Sequence, residues 1–66
     1  MQITVNGKHQ DADEGLSLTE LVARISDRST GIAVALNSEV VPRGSWSDTA
    51  IQAGDRIDVV TAVQGG

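Results

Sequence analysis

Sixty-six residues, 39% of them apolar and carrying a formal charge of −4, make one small domain with a single core and leave no room for a second. The absence of cysteine excludes disulfides, thiolate chemistry and cysteine-ligated zinc. Nine acidic residues against five basic ones disfavour nucleic acid as a partner, because phosphate binding needs clustered Lys and Arg. An acidic excess suits docking onto a basic protein surface and equally suits plain solubility. No apolar run approaches the roughly 18 residues that a membrane span needs, and no basic-then-apolar leader opens the chain, so no membrane and a cytoplasmic location are expected.

Met1 to Asn6 alternates, with Ile3 and Val5 on one face and Gln2, Thr4 and Asn6 on the other, the period of a half-buried strand. Asn6-Gly7 predicts a two-residue hairpin turn of type I′, since both central residues there need positive φ. Lys8 to Ala12 returns as a polar strand suited to a sheet edge, and Asp13-Glu14-Gly15 ends it. Ser17 stands three residues before Glu20, the spacing at which hydroxyl and carboxylate each satisfy a backbone N–H of the other, and so opens a helix. Within it Leu18, Leu21, Val22 and Ile25 form one apolar stripe toward the sheet, with Glu20, Ala23 and Arg24 outward. Ser26 to Gly31 closes the helix, where Arg28 suits the negative end.

Ile32 to Leu36 alternates large with small, so the large residues face the helix while Ala33 and Ala35 leave the opposite sheet face flat. Asn37-Ser38 reads as a turn, Glu39 to Val41 as a short strand stopped by Pro42, and Arg43 to Ala53 as a polar connection with one helical turn around Trp46. After a turn at Gly54-Asp55, the last strand runs from Arg56 to Thr61, with Ile57 and Val59 on one face and Asp58 and Val60 on the other. Residues 62 to 66 carry no pattern. The order predicts an α+β roll: a domain over residues 1–61, with one main helix crossing a mixed sheet of four or five strands, and a flexible tail over 62–66.

Few residues invite chemistry. His9 lies in a polar strand without an evident nucleophile or carboxylate in relation to it, which marks a surface bystander. Asp11, Asp13 and Glu14 lack the spacing of a calcium loop, and the isolated glycines at element boundaries form no phosphate-cradling loop, so no metal and no bound cofactor are expected. Trp46 reads as a cap over the edge of the core, with a partner contact as the alternative. Two features remain. The end Gly65-Gly66 reads first, taken alone, as a frayed terminus. It also suits a narrow channel in a partner, because glycine lacks Cβ and leaves the terminal carboxylate open to activation. Five residues beyond Thr61 would reach at most about 17 Å. The second feature is the outer sheet face, where Ala33, Ala35 and Val60, continued by Ala62 and Val63, are expected to stand clear of the single helix as a docking patch or as a weakly apolar surface.

Val40-Val41-Pro42-Arg43, Trp46, Gly54-Asp55-Arg56-Ile57 and the ending Thr61-Ala62-Val63-Gln64-Gly65-Gly66, with Ile3, Val5, the Asn6-Gly7 hairpin and Ala35-Leu36-Asn37, together resemble the ThiS family of sulfur carriers in thiamine biosynthesis. The resemblance covers essentially the whole chain; Gln64 departs from it, standing where many relatives have glycine or another small residue. It implies a ubiquitin-like β-grasp fold whose first and last strands pair in parallel at the sheet centre. It implies a carrier rather than an enzyme. The Gly66 carboxylate would be adenylated by a ThiF-type adenylyltransferase that consumes ATP. A persulfide from a cysteine desulfurase or rhodanese-like donor would turn it into a thiocarboxylate, and that sulfur would pass to a ThiG-type thiazole synthase. Val63, Gln64 and Gly65 would be gripped by the partners, and Val60, Ala62, Ala33 and Ala35 would dock against them. A carrier for molybdopterin or a thiolated amino acid, and a ubiquitin-like modifier or docking module, are the competing readings on the same fold.

Overall fold

A computed structural model of the chain describes residues 1–25 and 31–61. The helix ending expected over Ser26 to Gly31, including Arg28, falls mostly outside these residues, and so does the tail expected over 62–66.

Two hairpins and a final strand make the sheet. Strands β1 (Gln2–Val5) and β2 (Lys8–Asp11) run antiparallel with Val5 opposite Lys8 and Gln2 opposite Asp11. Between them Asn6 and Gly7 take φ of 50° and 81°, the left-handed pair that the Asn-Gly sequence favours. Strands β3 (Ile32–Leu36) and β4 (Glu39–Val41) form the second hairpin, again around two positive-φ residues, Asn37 and Ser38. Strand β5 (Arg56–Thr61) lies between the hairpins, parallel to β1 and antiparallel to β3, giving the order β2-β1-β5-β3-β4.

Helix α1 (Leu18–Ile25) opens on the expected reciprocal cap: the Ser17 N–H donates to Glu20 Oε1 at 3.1 Å and the Glu20 N–H donates to Ser17 Oγ at 3.2 Å. Leu18, Leu21 and Val22 are buried, in one cluster with Ile3, Val5, Val34 and Ile57. Ile25 departs from the expected stripe: it is 42% exposed and stands outside the core cluster that takes in Val22. Ser17→Ala removes the oxygen that holds the Glu20 N–H, and is expected to cost about 1 kcal/mol. In a domain of this size that corresponds to a fall of about 4–8 °C in thermal midpoint by circular dichroism.

The connection after β4 is less polar in its role than its sequence suggests. A 3-10 helix (Arg43–Asp48) seats Trp46 in the core, and the indole N–H donates to the Val41 carbonyl at 2.9 Å, so the tryptophan is a packing residue. The chain then runs beside the start of α1. Leu18 N–H donates to the Thr49 carbonyl at 3.1 Å, and Ile51 N–H to the Leu16 carbonyl at 2.8 Å. Leu16 and Ile51 are thereby buried in the core; the reading of 43–53 as a polar connection did not foresee Ile51 there. Among the described residues no helix is long and apolar enough to cross a membrane.

Candidate functional site

Register decides which side chains share the outer face. Because directly opposed residues in a sheet point the same way, Ala33 opposite Val60 and Ala35 opposite Asp58 put those four residues together on one face, while Val34 opposite Val59 and Leu36 opposite Ile57 turn toward α1. The helix face is closed: Ile57 and Val34 are almost wholly buried, with Val59 and Leu36 packed against the core. The outer face is open. Val60 is 60% exposed and Ala33 is exposed, whereas Ala35 is half-buried. The expected face assignment of the last strand therefore holds.

The patch is wider than the sequence suggested. Val40 lies opposite Ala35 across the β3–β4 pair and is 74% exposed, so the apolar surface runs from Val60 over the two alanines to Val40 on the edge strand. The signal for Val40 was available only through register: in a three-residue strand, alternation alone does not say which valine of Val40-Val41 faces out. Toward the other edge the same face turns polar. Arg56 Nε lies 3.5 Å from Asp58 Oδ2, and Thr4 and His9 are paired at 3.3 Å between Oγ1 and Nδ1. His9 is exposed. Among the described residues no group of three His, Asp or Glu side chains could hold a metal ion.

The patch sits at the root of the C-terminal segment. Val60 is one residue before the last residue of β5, and Thr61 is held opposite Ile32 at the start of β3. On the β1 side, where the hairpin turns away, the Asn6 side chain takes over from the backbone: its Oδ1 accepts the Val59 N–H at 2.8 Å. At the opposite end of β5, Asn37 does the same, accepting the Arg56 N–H on Oδ1 at 2.9 Å and donating through Nδ2 to Asp55 at 3.1 Å. Two asparagine side chains thus brace both ends of the strand that leads to the diglycine. Of the other expected site residues, Ala62, Val63, Gln64, Gly65 and Gly66 lie outside the described residues.

The ThiS family model matches residues 2–66. The chain is 33% identical over 66 residues to the sulfur carrier protein ThiS of Escherichia coli, covering all of both chains. It is 27% identical over 66 residues to a thiazole synthase of Paramagnetospirillum magneticum, where the match takes in the whole of this chain but only 20% of that protein. Among solved structures, the crystal structure of ThiS from Geobacter metallireducens superposes with a TM-score of 0.85 at 33% identity, with full coverage of both chains. The five-stranded mixed sheet crossed by one helix is accordingly the ubiquitin-like β-grasp fold, and the chain belongs to the ThiS family.

Proposed function

We propose that this protein is the sulfur carrier of thiazole formation in thiamine biosynthesis, a cosubstrate whose reactive group is the carboxylate of Gly66. The observation that carries the reading is the apolar patch of exposed Val60, Ala33 and Val40 around half-buried Ala35, at the root of a segment ending in Gly65-Gly66, in a chain similar over its full length to a sulfur carrier. A carboxylate does not accept sulfur directly, since its oxygen is a poor leaving group. A ThiF-type adenylyltransferase would let that carboxylate attack the α-phosphorus of ATP, with loss of pyrophosphate. A persulfide from a cysteine desulfurase or rhodanese-like donor would then attack the acyl carbon and displace AMP, and thiol cleavage of the acyl disulfide would leave the thiocarboxylate. Thiazole synthase would take up that sulfur. The match to one-fifth of a thiazole synthase supports this partner, because it shows a body of this type within the same polypeptide as a synthase.

Division of labour follows from the chain's own residues. Residues 62 to 66 would form a tail that enters each partner's active site, with Val63, Gln64 and Gly65 as the gripped portion, while the sheet face around Val60 docks. Ala62 would extend that face. Val60→Asp is expected to weaken binding to either partner by tenfold or more, because a carboxylate would be desolvated in the contact. Its cost in stability is below about 1 kcal/mol, since the side chain is largely in water. Calorimetric affinity and a denaturant midpoint on the same variant separate the two effects. A large stability loss with intact binding would reverse the assignment.

The function itself is tested by intact mass. Incubation with ATP, the adenylyltransferase and a sulfur donor should raise the mass by the difference between sulfur and oxygen. The loaded form should then support thiazole formation by the synthase. No mass change with a proven adenylyltransferase rejects the carrier reading; loading without thiazole formation, but with activity in molybdopterin formation, moves the protein to another pathway.

A further inference from the structure

The sheet has two outer edges and one interior gap. Its outer edges are guarded in the usual ways: β2 carries Lys8 and Asp11 and is exposed throughout, and β4 is only three residues long and followed by Pro42. The gap lies beside β5. Alternate residues of a strand direct both N–H and C=O to the same side. On the β1 side, the Ile57 carbonyl accepts the Asn6 N–H at 2.9 Å, and the Val59 N–H is taken by the Asn6 side chain at 2.8 Å. Beyond Asn6, β1 has turned into its hairpin and runs back as β2, away from β5. The Val59 carbonyl and the Thr61 N–H therefore point into a lane that β1 has vacated, and among the described residues neither has a partner. Asp58 and Val60, which alternate with them, face β3 and are paired there with Ala35 and Ala33.

We infer that the open edge of β5 at Val59 and Thr61 is a strand-addition site, filled by an extended backbone segment of the thiazole synthase that continues the lane of β1. This rests on the reading of the synthase as a partner. An acceptor and a donor two residues apart on one strand edge match the backbone repeat of another strand, so the occupant is polypeptide in extended form rather than a side chain or a small ligand. The site adjoins the apolar face at Val60, so one partner surface covers both. It also flanks the last residue before the tail. A strand hydrogen-bonded to Thr61 fixes the direction in which residue 62 leaves, and so positions the tail, while the recognition itself is blind to side-chain identity.

Proline provides the test. Thr61→Pro deletes only the N–H that points away from β3, and proline is tolerated on a strand edge of that kind. The proline variant should bind the cognate thiazole synthase about 3- to 10-fold more weakly than Thr61→Ala, which keeps the N–H, in line with the loss of one hydrogen bond. In the wild-type complex at saturation, the Thr61 amide hydrogen should exchange at least tenfold more slowly than in the free protein, by nuclear magnetic resonance. Unchanged exchange at Thr61 in a formed complex overturns the inference, and decides the matter alone if the proline variant fails to fold. Equal affinities of two folded variants overturn it as well. Absence of any wild-type binding to the synthase instead rejects the partner assignment, and the inference with it.

Discussion

Deleting Gly66 is expected to abolish sulfur loading while leaving the thermal midpoint within about 1 °C of wild type. Among the described residues, which end at Thr61 five positions earlier, every buried side chain lies at or before Ile57. The shortened chain still ends in a glycine carboxylate, that of Gly65, and its acid–base chemistry is unchanged. Reach is what it loses. One residue of extended chain spans about 3.3–3.6 Å, comparable to the whole distance between reacting atoms in a near-attack geometry. Since a misplacement of about 1 Å already costs on the order of 100-fold, adenylation should fall below detection. Loading at the wild-type rate, read as the same mass increase, would show that the site does not measure the tail and would remove Gly66 from its role.

Ile57→Ala is expected to unfold the protein, or nearly so, and to do so away from any functional group. Ile57 has no exposed surface, stands opposite Val5 in β1 and Leu36 in β3, and belongs to the one core cluster. Truncating such a residue costs about 2–5 kcal/mol, because the lost burial is joined by a cavity that the surroundings fill only in part. A chain of this length has roughly 3–10 kcal/mol in all. The variant should show a broad or absent thermal transition and exposed amides throughout the sheet. A cooperative transition within about 5 °C of wild type would mean that the core collapses around the gap, and that Ile57 is less central than its burial implies. Val60→Asp, three residues away on the other face, is the contrast: one is expected to change folding, the other binding.

Local chemistry was legible in the sequence where a residue pair has one good geometric use. Asn6-Gly7 took the two positive φ values its turn demands, and Ser17 with Glu20 closed the expected cap. The faces of β5 were readable because Ile57, Asp58 and Val59 alternate and the large–small alternation of β3 agrees with them. What failed were statements about where one element stops covering another. Periodicity placed Ile25 on the buried stripe with Val22, yet only the extent of the core decides that Val22 is covered and Ile25 is not. Leu16 and Ile51 were passed over because each is a single apolar residue in a polar stretch, brought inside by pairing across more than thirty positions. The parallel pairing of β1 with β5 came from the resemblance, as nothing local encodes it. Of the candidate site, the outer apolar face was half visible: Val60, Ala33 and Ala35 by alternation, Val40 only through register. The asparagine braces at both ends of β5 were invisible, since an Asn beside a turn has an adequate local explanation already.

The central place of β5 bears on the order in which this molecule is assembled. Without residues 56 to 61 the remaining strands are two separate hairpins, β1–β2 and β3–β4, with no direct pairing between them. Thr4 and Arg56 are partners across nearly the whole body, so the sheet closes only when the last strand emerges and threads between the two. A nascent or truncated chain lacking it is left with open hairpin edges and an unfilled core, a form exposed to aggregation and proteolysis. The strand that completes the body is also the strand from which the diglycine hangs. On the proposed function, presentation of the terminal carboxylate would then wait on completion of the fold, so a molecule able to offer its end to a partner would be one that has already passed its own test of synthesis.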